Sequence, residues 1–160
     1  MNEPERALST DLDIKDRPSR ARYDKVKHAL DVKWRRRELQ PERMMREVID
    51  GLWDAFGGSP WSWCGVWLPQ PDGMAFHPGA ARPAPAAAVP AAGALKEALT
   101  AGLSRREGGV IAVPILDKDG RPWAVFEAKS SSPFDDMDAR WLERLFKAFQ
   151  DVERPERPLP

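Results

Sequence analysis

Cysteine is almost absent from this chain: Cys64 is the only one in 160 residues. An intramolecular disulfide is thereby excluded, as is any metal site built from several thiolates. Such sparing use fits a reducing compartment. Histidine is nearly as scarce. His28 and His77 lie far from each other and from Cys64 with no metal-ligand spacing, so neither a metal nor a cofactor is expected. No stretch reaches the roughly 18 consecutive apolar residues of a membrane span, and the opening MNEPERALSTDLD lacks the apolar core of a signal peptide. A cytoplasmic protein without membrane contact is the expectation. Net charge is missing too, with 25 basic against 25 acidic residues, which removes any chain-wide attraction to nucleic acid or anionic lipid.

The neutral total conceals an uneven distribution. Between Lys15 and Arg37 there are ten basic and three acidic residues, a surplus of seven, and the remainder of the chain is seven units negative. Within this basic segment Tyr23, Val26, Leu30 and Trp34 recur at three- and four-residue spacing, which predicts a helix over 20–39 with one apolar stripe. The run KWRRR supplies phosphate affinity in principle. Yet no base-reading motif accompanies it, and the interleaved aromatics are only Tyr23 and Trp34, so nucleic acid is not expected. A solvated face is the plain reading of Lys33, Arg35, Arg36 and Arg37; an acidic protein partner or a second subunit is the functional one.

Residues 1–19 and 151–160 are polar without an apolar period and read as a disordered arm and tail around one domain at 20–150, whose core is 41–150. Pro41 suits the first turn of a second helix, in which Met45, Val48, Ile49, Leu52, Trp53 and Phe56 follow helical spacing, ended by Gly57 and Gly58. PWSWCGVWLPQPDGMAFHP predicts a first hairpin about a Pro-Asp-Gly turn, with Trp61, Trp63 and Trp67 at alternate positions of its leading strand. Residues 78–93 hold four prolines and eight alanines and read as a polyproline-like connector, followed by a short helix in ALKEALTAGL. A second hairpin pairs Val110–Leu116 with Arg121–Lys129 across the turn Asp117–Gly120. Asp135 caps the last helix, in which Leu142, Leu145, Phe146 and Phe149 form the buried stripe. Helices alternating with hairpins imply an α+β fold with an antiparallel sheet.

SWCGVWL, followed by a hairpin and then by GGVIAVPILDKDGRPWAVFEAKSSSPFDDMDARWLERL, resembles a GAF domain, nearest in flavour to free methionine-(R)-sulfoxide reductase. The likeness covers roughly residues 41–150. It implies a five- or six-stranded antiparallel sheet flanked by helices, with a ligand pocket on one face. The reductase chemistry is not implied. Its two thiols fall in the segment that here reads VPAAGALKEA and in the loop before the second hairpin, cut down here to SRREGG, and neither place holds a cysteine. The Asp-Ile-Asp triplet that holds the substrate amine in that family reads Glu127-Ala128-Lys129 here.

Glu127 and Lys129 are two apart on a strand and leave the same face. A solvated edge pair is the plain reading; the resemblance puts them in the pocket. Trp63 and Trp67 join them as candidate ligand contacts, with core packing as the alternative. No catalytic residue is expected. Cys64 reads as a small core residue, its one reactive reading being a thiol–base pair with His77 across the first hairpin. The function expected is a non-catalytic sensory or regulatory module, dimeric through its N- and C-terminal helices, that binds a small ligand or a protein partner. A reductase-type enzyme is the first alternative. The second is a pure interaction module that uses the basic helix.

Overall fold

The computed structural model describes residues 20–35 and 40–151, so the expected arm and tail beyond Asp151, together with Arg36 and Arg37, lie outside the described residues. Its backbone begins with helix α1 at 20–34, whose stripe Tyr23, Val26, Leu30 and Trp34 is wholly buried. The basic segment is therefore part of the core on one side and solvated on the other. Helix α2, Pro41–Phe56, starts with proline in its first turn, where the missing N–H costs nothing. It buries Met44, Met45, Val48, Ile49, Leu52 and Phe56, while Trp53, expected in the stripe, lies half-buried at its edge. At Gly57 the Trp53 ring comes so near that a Cβ would sit 2.2 Å from it, so only glycine fits the exit.

One six-stranded antiparallel sheet follows, in the order β3 (Val89–Pro90), β2 (Ala75–Arg82), β1 (Trp61–Pro69), β6 (Pro122–Ser130), β5 (Val110–Leu116), β4 (Arg105–Glu107). Strands β1 (Trp61–Pro69) and β6 (Pro122–Ser130) form its centre, and β5 (Val110–Leu116) pairs β6 with Val110 opposite Lys129. The second hairpin is thus as the sequence predicts, displaced by one residue. Strand β2 (Ala75–Arg82) corrects the reading of 78–93 as a connector, because its second half, PGAAR, is paired to β1. The two residues of β3 (Val89–Pro90) then pair with the start of β2. SRREGG is likewise no mere loop: β4 (Arg105–Glu107) runs along the edge of β5.

The two faces of the sheet are packed differently. On one lie α1, α2 and α4 (Asp136–Phe146) with the 3₁₀ turn Lys147–Asp151, burying Cys64, Val66, Ile111, Val113, Ile115, Phe126 and Ala128. The opposite face carries only α3 (Gly93–Ala101) and the chain leading to it, around Trp67, Phe76, Leu95, Ala98, Ala112 and Val125. Helix α4 begins in a full capping box, with Asp138 N–H donating to Asp135 Oδ1 at 3.0 Å and Asp135 N–H to Asp138 Oδ2 at 2.9 Å. Tyr23 donates its hydroxyl to Asp138 Oδ1 at 2.8 Å, which ties α1 to this cap. Burial pushes the Asp138 carboxyl above the usual range, and burial together with that neighbouring carboxylate raises the Tyr23 phenol.

Candidate functional site

The α3 side of the β1–β6 pair is where the four sequence-nominated residues meet. Register sets Trp63 opposite Lys129, Gly65 opposite Glu127 and Trp67 opposite Val125, so alternation sends these side chains to the same face. Trp67 is 3% exposed and packs among Phe76, Leu95, Ala98 and Val125. Its indole N–H donates to Glu127 Oε1 at 2.9 Å, which answers the need of a buried carboxylate for a donor. Trp63 stands beside it, with ring centroids 5.8 Å apart, and donates its own N–H to the carbonyl of Ala84 at 3.0 Å. The Lys129 ammonium sits over the Trp63 ring, 5.6 Å from its centroid.

Two residues that complete this arrangement were not picked out by sequence reasoning. The Trp63 ring lies across Gly65, where a Cβ would come within 2.6 Å of Cη2 and 2.9 Å of the Ala81 Cβ. A glycine inside an otherwise apolar strand was the available signal for such a close approach. Ala84 acts through its backbone carbonyl and leaves no trace in the sequence. On this face Trp63 and Trp67 pack against Ala86, Val89 and Ala91 of the chain leading to α3 and against Leu95 and Ala98 of α3 itself.

Trp61 departs from the expected alternation. A bulge between Trp61 and Trp63 turns it to the helix side, where it stacks on Phe56 at 4.7 Å between centroids. Cys64 is on the helix side as well and fully buried, in register with Arg82, whereas His77 is exposed opposite Leu68. The thiol–base pair is therefore not formed. Burial pushes the Cys64 thiol up to about 12 from an ordinary 9.0. A raised folded-state pKa means that the unfolded chain releases this proton first. Stability from the neutral thiol is intact below about pH 9 and is lost as pH climbs from 9 toward 12, by about 1.4 kcal/mol per unit. The stability difference between wild type and Cys64→Ala, measured by urea unfolding, should fall with that slope. A difference that stays flat would mean the thiol reaches water in the folded protein.

Three surface cavities lie elsewhere. One of about 790 Å³ runs between α1 and α2, and one of about 520 Å³ between α1 and the end of α4 includes Lys27, Trp34, Lys118, Arg144 and Lys147. A smaller one of about 280 Å³ lies by Pro114, Leu116 and Phe146. None of these three is lined by Trp63, Trp67, Glu127 or Lys129. Among the described residues no cluster of His, Cys, Asp and Glu could hold a metal, and no helix is long and apolar enough to cross a membrane. Lys33 borders the α1–α2 groove 4.0 Å from Glu47 Oε2, and Arg35 is exposed at the last described residue of that segment.

No family model matches the chain, and no curated protein matches it either. Solved structures do. A structure described as that of the GAF domain superposes with a TM-score of 0.71 at 14% identity, over 82% of this chain and 87% of its own. The fold is that of a GAF domain. Free methionine-R-sulfoxide reductase from Neisseria meningitidis, in complex with its substrate, matches at a TM-score of 0.64 and 21% identity, over 81% of this chain and 84% of that one. The GAF domain of an Acinetobacter phosphoenolpyruvate-protein phosphotransferase follows at 0.64 and 9% identity, over 81% and 90%. GAF architecture thus reaches across both an enzyme and a domain of a larger phosphotransferase, and at these identities the likeness concerns the fold alone. Within that GAF fold, this chain brings one thiol, and it is sealed against the helix layer.

Proposed function

We propose that this GAF domain is a non-catalytic sensory or regulatory module whose α3 side receives a small ligand carrying an aromatic or apolar body and an anionic group. The observation that carries this reading is the joint placement of Trp63, Trp67, Glu127 and Lys129 on one face. The two indoles, tilted 36° to each other, offer an apolar wall once Trp63 moves aside. Glu127 has one oxygen already taken by the Trp67 indole, so its carboxylate is less free to draw a cation than an unpaired one. Lys129 is exposed at the rim and can meet an anion without burying its charge. Entry requires Trp63 to swing off Gly65 and give up its bond to Ala84, a movement open to a half-buried side chain at the edge of the cluster. Reductase activity would need a nucleophilic and a resolving thiol, and the single Cys64 is on the wrong side of the sheet.

The experiment is a thermal-shift screen with carboxylate- and phosphate-bearing metabolites, since a ligand that binds only the folded protein raises its melting temperature by mass action. An anionic compound should stabilise the wild type, and Lys129→Asp should weaken its binding about tenfold or more through reversal of the local charge. A cationic ligand, or an anionic one indifferent to that substitution, would refute the assignment of Lys129. The burial of Trp67 and the packing of Trp63 beside it favour a second reading, in which ligand binding has been lost and the module acts through its surface alone. That reading predicts no stabilising compound at all.

A further inference from the structure

We infer that Lys129 is a latch on Trp63: its ammonium helps to hold the indole over Gly65, and an anion that engages Lys129 loosens the ring, so that anion capture and opening of the apolar wall are coupled. The purpose of this latch rests on the α3-side reading. Its geometry does not. Register sets Trp63 directly opposite Lys129 on β6, which makes the two side chains cross-strand neighbours. Three contacts keep the ring in place. Its N–H donates to the Ala84 carbonyl at 3.0 Å, it lies so close over Gly65 that a Cβ there would come within 2.6 Å of its Cη2, and the Lys129 ammonium is 5.6 Å from its centroid. Only the last of these involves a charge. Glu127, two residues away on the same face, is turned to the Trp67 indole at 2.9 Å, and Lys129 makes no ion pair among the described residues. The ring is what its ammonium engages.

A ring attracts a cation through its quadrupole and carries no net charge, so an anion close to Lys129 draws the ammonium more strongly than the indole does. The two compete for one charge. At an exposed rim a cation–π contact corresponds to about two- to fivefold in the ratio of closed to open ring, enough to bias the gate and too little to lock it. The bond to Ala84 holds the resting state beside it. By linkage the reverse coupling is equal: an apolar body that takes the place of the ring frees Lys129 and raises its affinity for the anion by the same factor. A molecule that joins an anionic group to an apolar body is therefore selected over either part alone.

The test is hydrogen exchange at the Trp63 indole N–H of the ligand-free full chain, in wild type, Lys129→Met and Lys129→Arg. Methionine keeps an unbranched apolar stem without the charge. Exchange should be about two- to fivefold faster in Lys129→Met and close to wild type in Lys129→Arg, whose guanidinium also lies well over a ring. Inorganic phosphate at constant ionic strength should narrow the gap between wild type and Lys129→Met. The Trp67 N–H, bonded to Glu127, should exchange at one rate in all three proteins. Equal Trp63 rates in wild type and Lys129→Met overturn the latch, as does a gap that phosphate leaves unchanged or that Lys129→Arg fails to close. A Trp67 rate that moves together with that of Trp63 traces the change to the sheet as a whole and overturns it too. Since the rates are read without a ligand of the α3 side, a metabolite screen that finds no stabilising compound refutes that reading and leaves them as they are.

Discussion

Trp61→Ala should cost about 3 to 5 kcal/mol of folding stability, the range for truncating a large buried aromatic. Trp61 is 2% exposed and ties β1 to three neighbours: it stacks on Phe56 of α2, meets Phe126 of β6 at 6.1 Å, and takes an edge contact from Phe134 at 5.8 Å in the lead-in to α4. Removing the indole leaves a void that these rings cannot all close. Were the strand to alternate strictly from Trp61 to Trp67, Trp61 would instead share the α3 side with Trp63, and truncation would be mild. Urea unfolding distinguishes the two. A loss below about 1 kcal/mol would contradict the bulge that turns this side chain to the helix layer.

Leu145→Ala should be the next most damaging, at about 2 to 5 kcal/mol. Leu145 is 3% exposed on the inner face of α4, with Leu142 and Phe146 beside it and Phe149 one turn on. Phe146 in turn contacts Phe126 across the interface at 4.9 Å, so α4 is held to the sheet by an unbroken apolar seam. The same unfolding measurement applies, and a change under about 0.5 kcal/mol would mean that this face of the helix is open to water. The capping box at Asp135 and Asp138 does not depend on Leu145, so helix content should survive while the transition midpoint falls.

These two residues also mark what could be read in the sequence and what could not. Leu145 belongs to a helix whose start signal, apolar period and stripe agree, and such consistency is legible without a structure. The β5–β6 hairpin was legible for the same reason, with two apolar runs flanking a turn. Trp61 was misplaced because a bulge shifts register by one residue, and nothing in tryptophan-rich alternation announces where it falls. Strand β2 was half missed because PGAAR has neither β-branched nor aromatic residues. Its pairing comes from β1 beside it, and Pro78 is tolerated next to the irregularity between Gly65 and Trp67. At the candidate site, period two alone put Glu127 and Lys129 on one face. Their partners depend on the β1–β6 register, which brings Trp67 to Glu127 and Trp63 to Lys129 and is fixed by the whole sheet.

Binding of an anionic ligand on the α3 side can be read from the indole N–H resonances of the seven tryptophans, assigned by single Trp→Phe substitutions. Titration with the anionic compound that most stabilises the protein should move the Trp63 resonance strongly as its bond to Ala84 breaks, and Trp67 beside it. Trp34, Trp61 and Trp123, on the other side of the sheet, should stay in place. Shifts confined to Trp34 and Trp141 with Trp63 unmoved would locate binding on the helix side and rule out the α3 side as the ligand site.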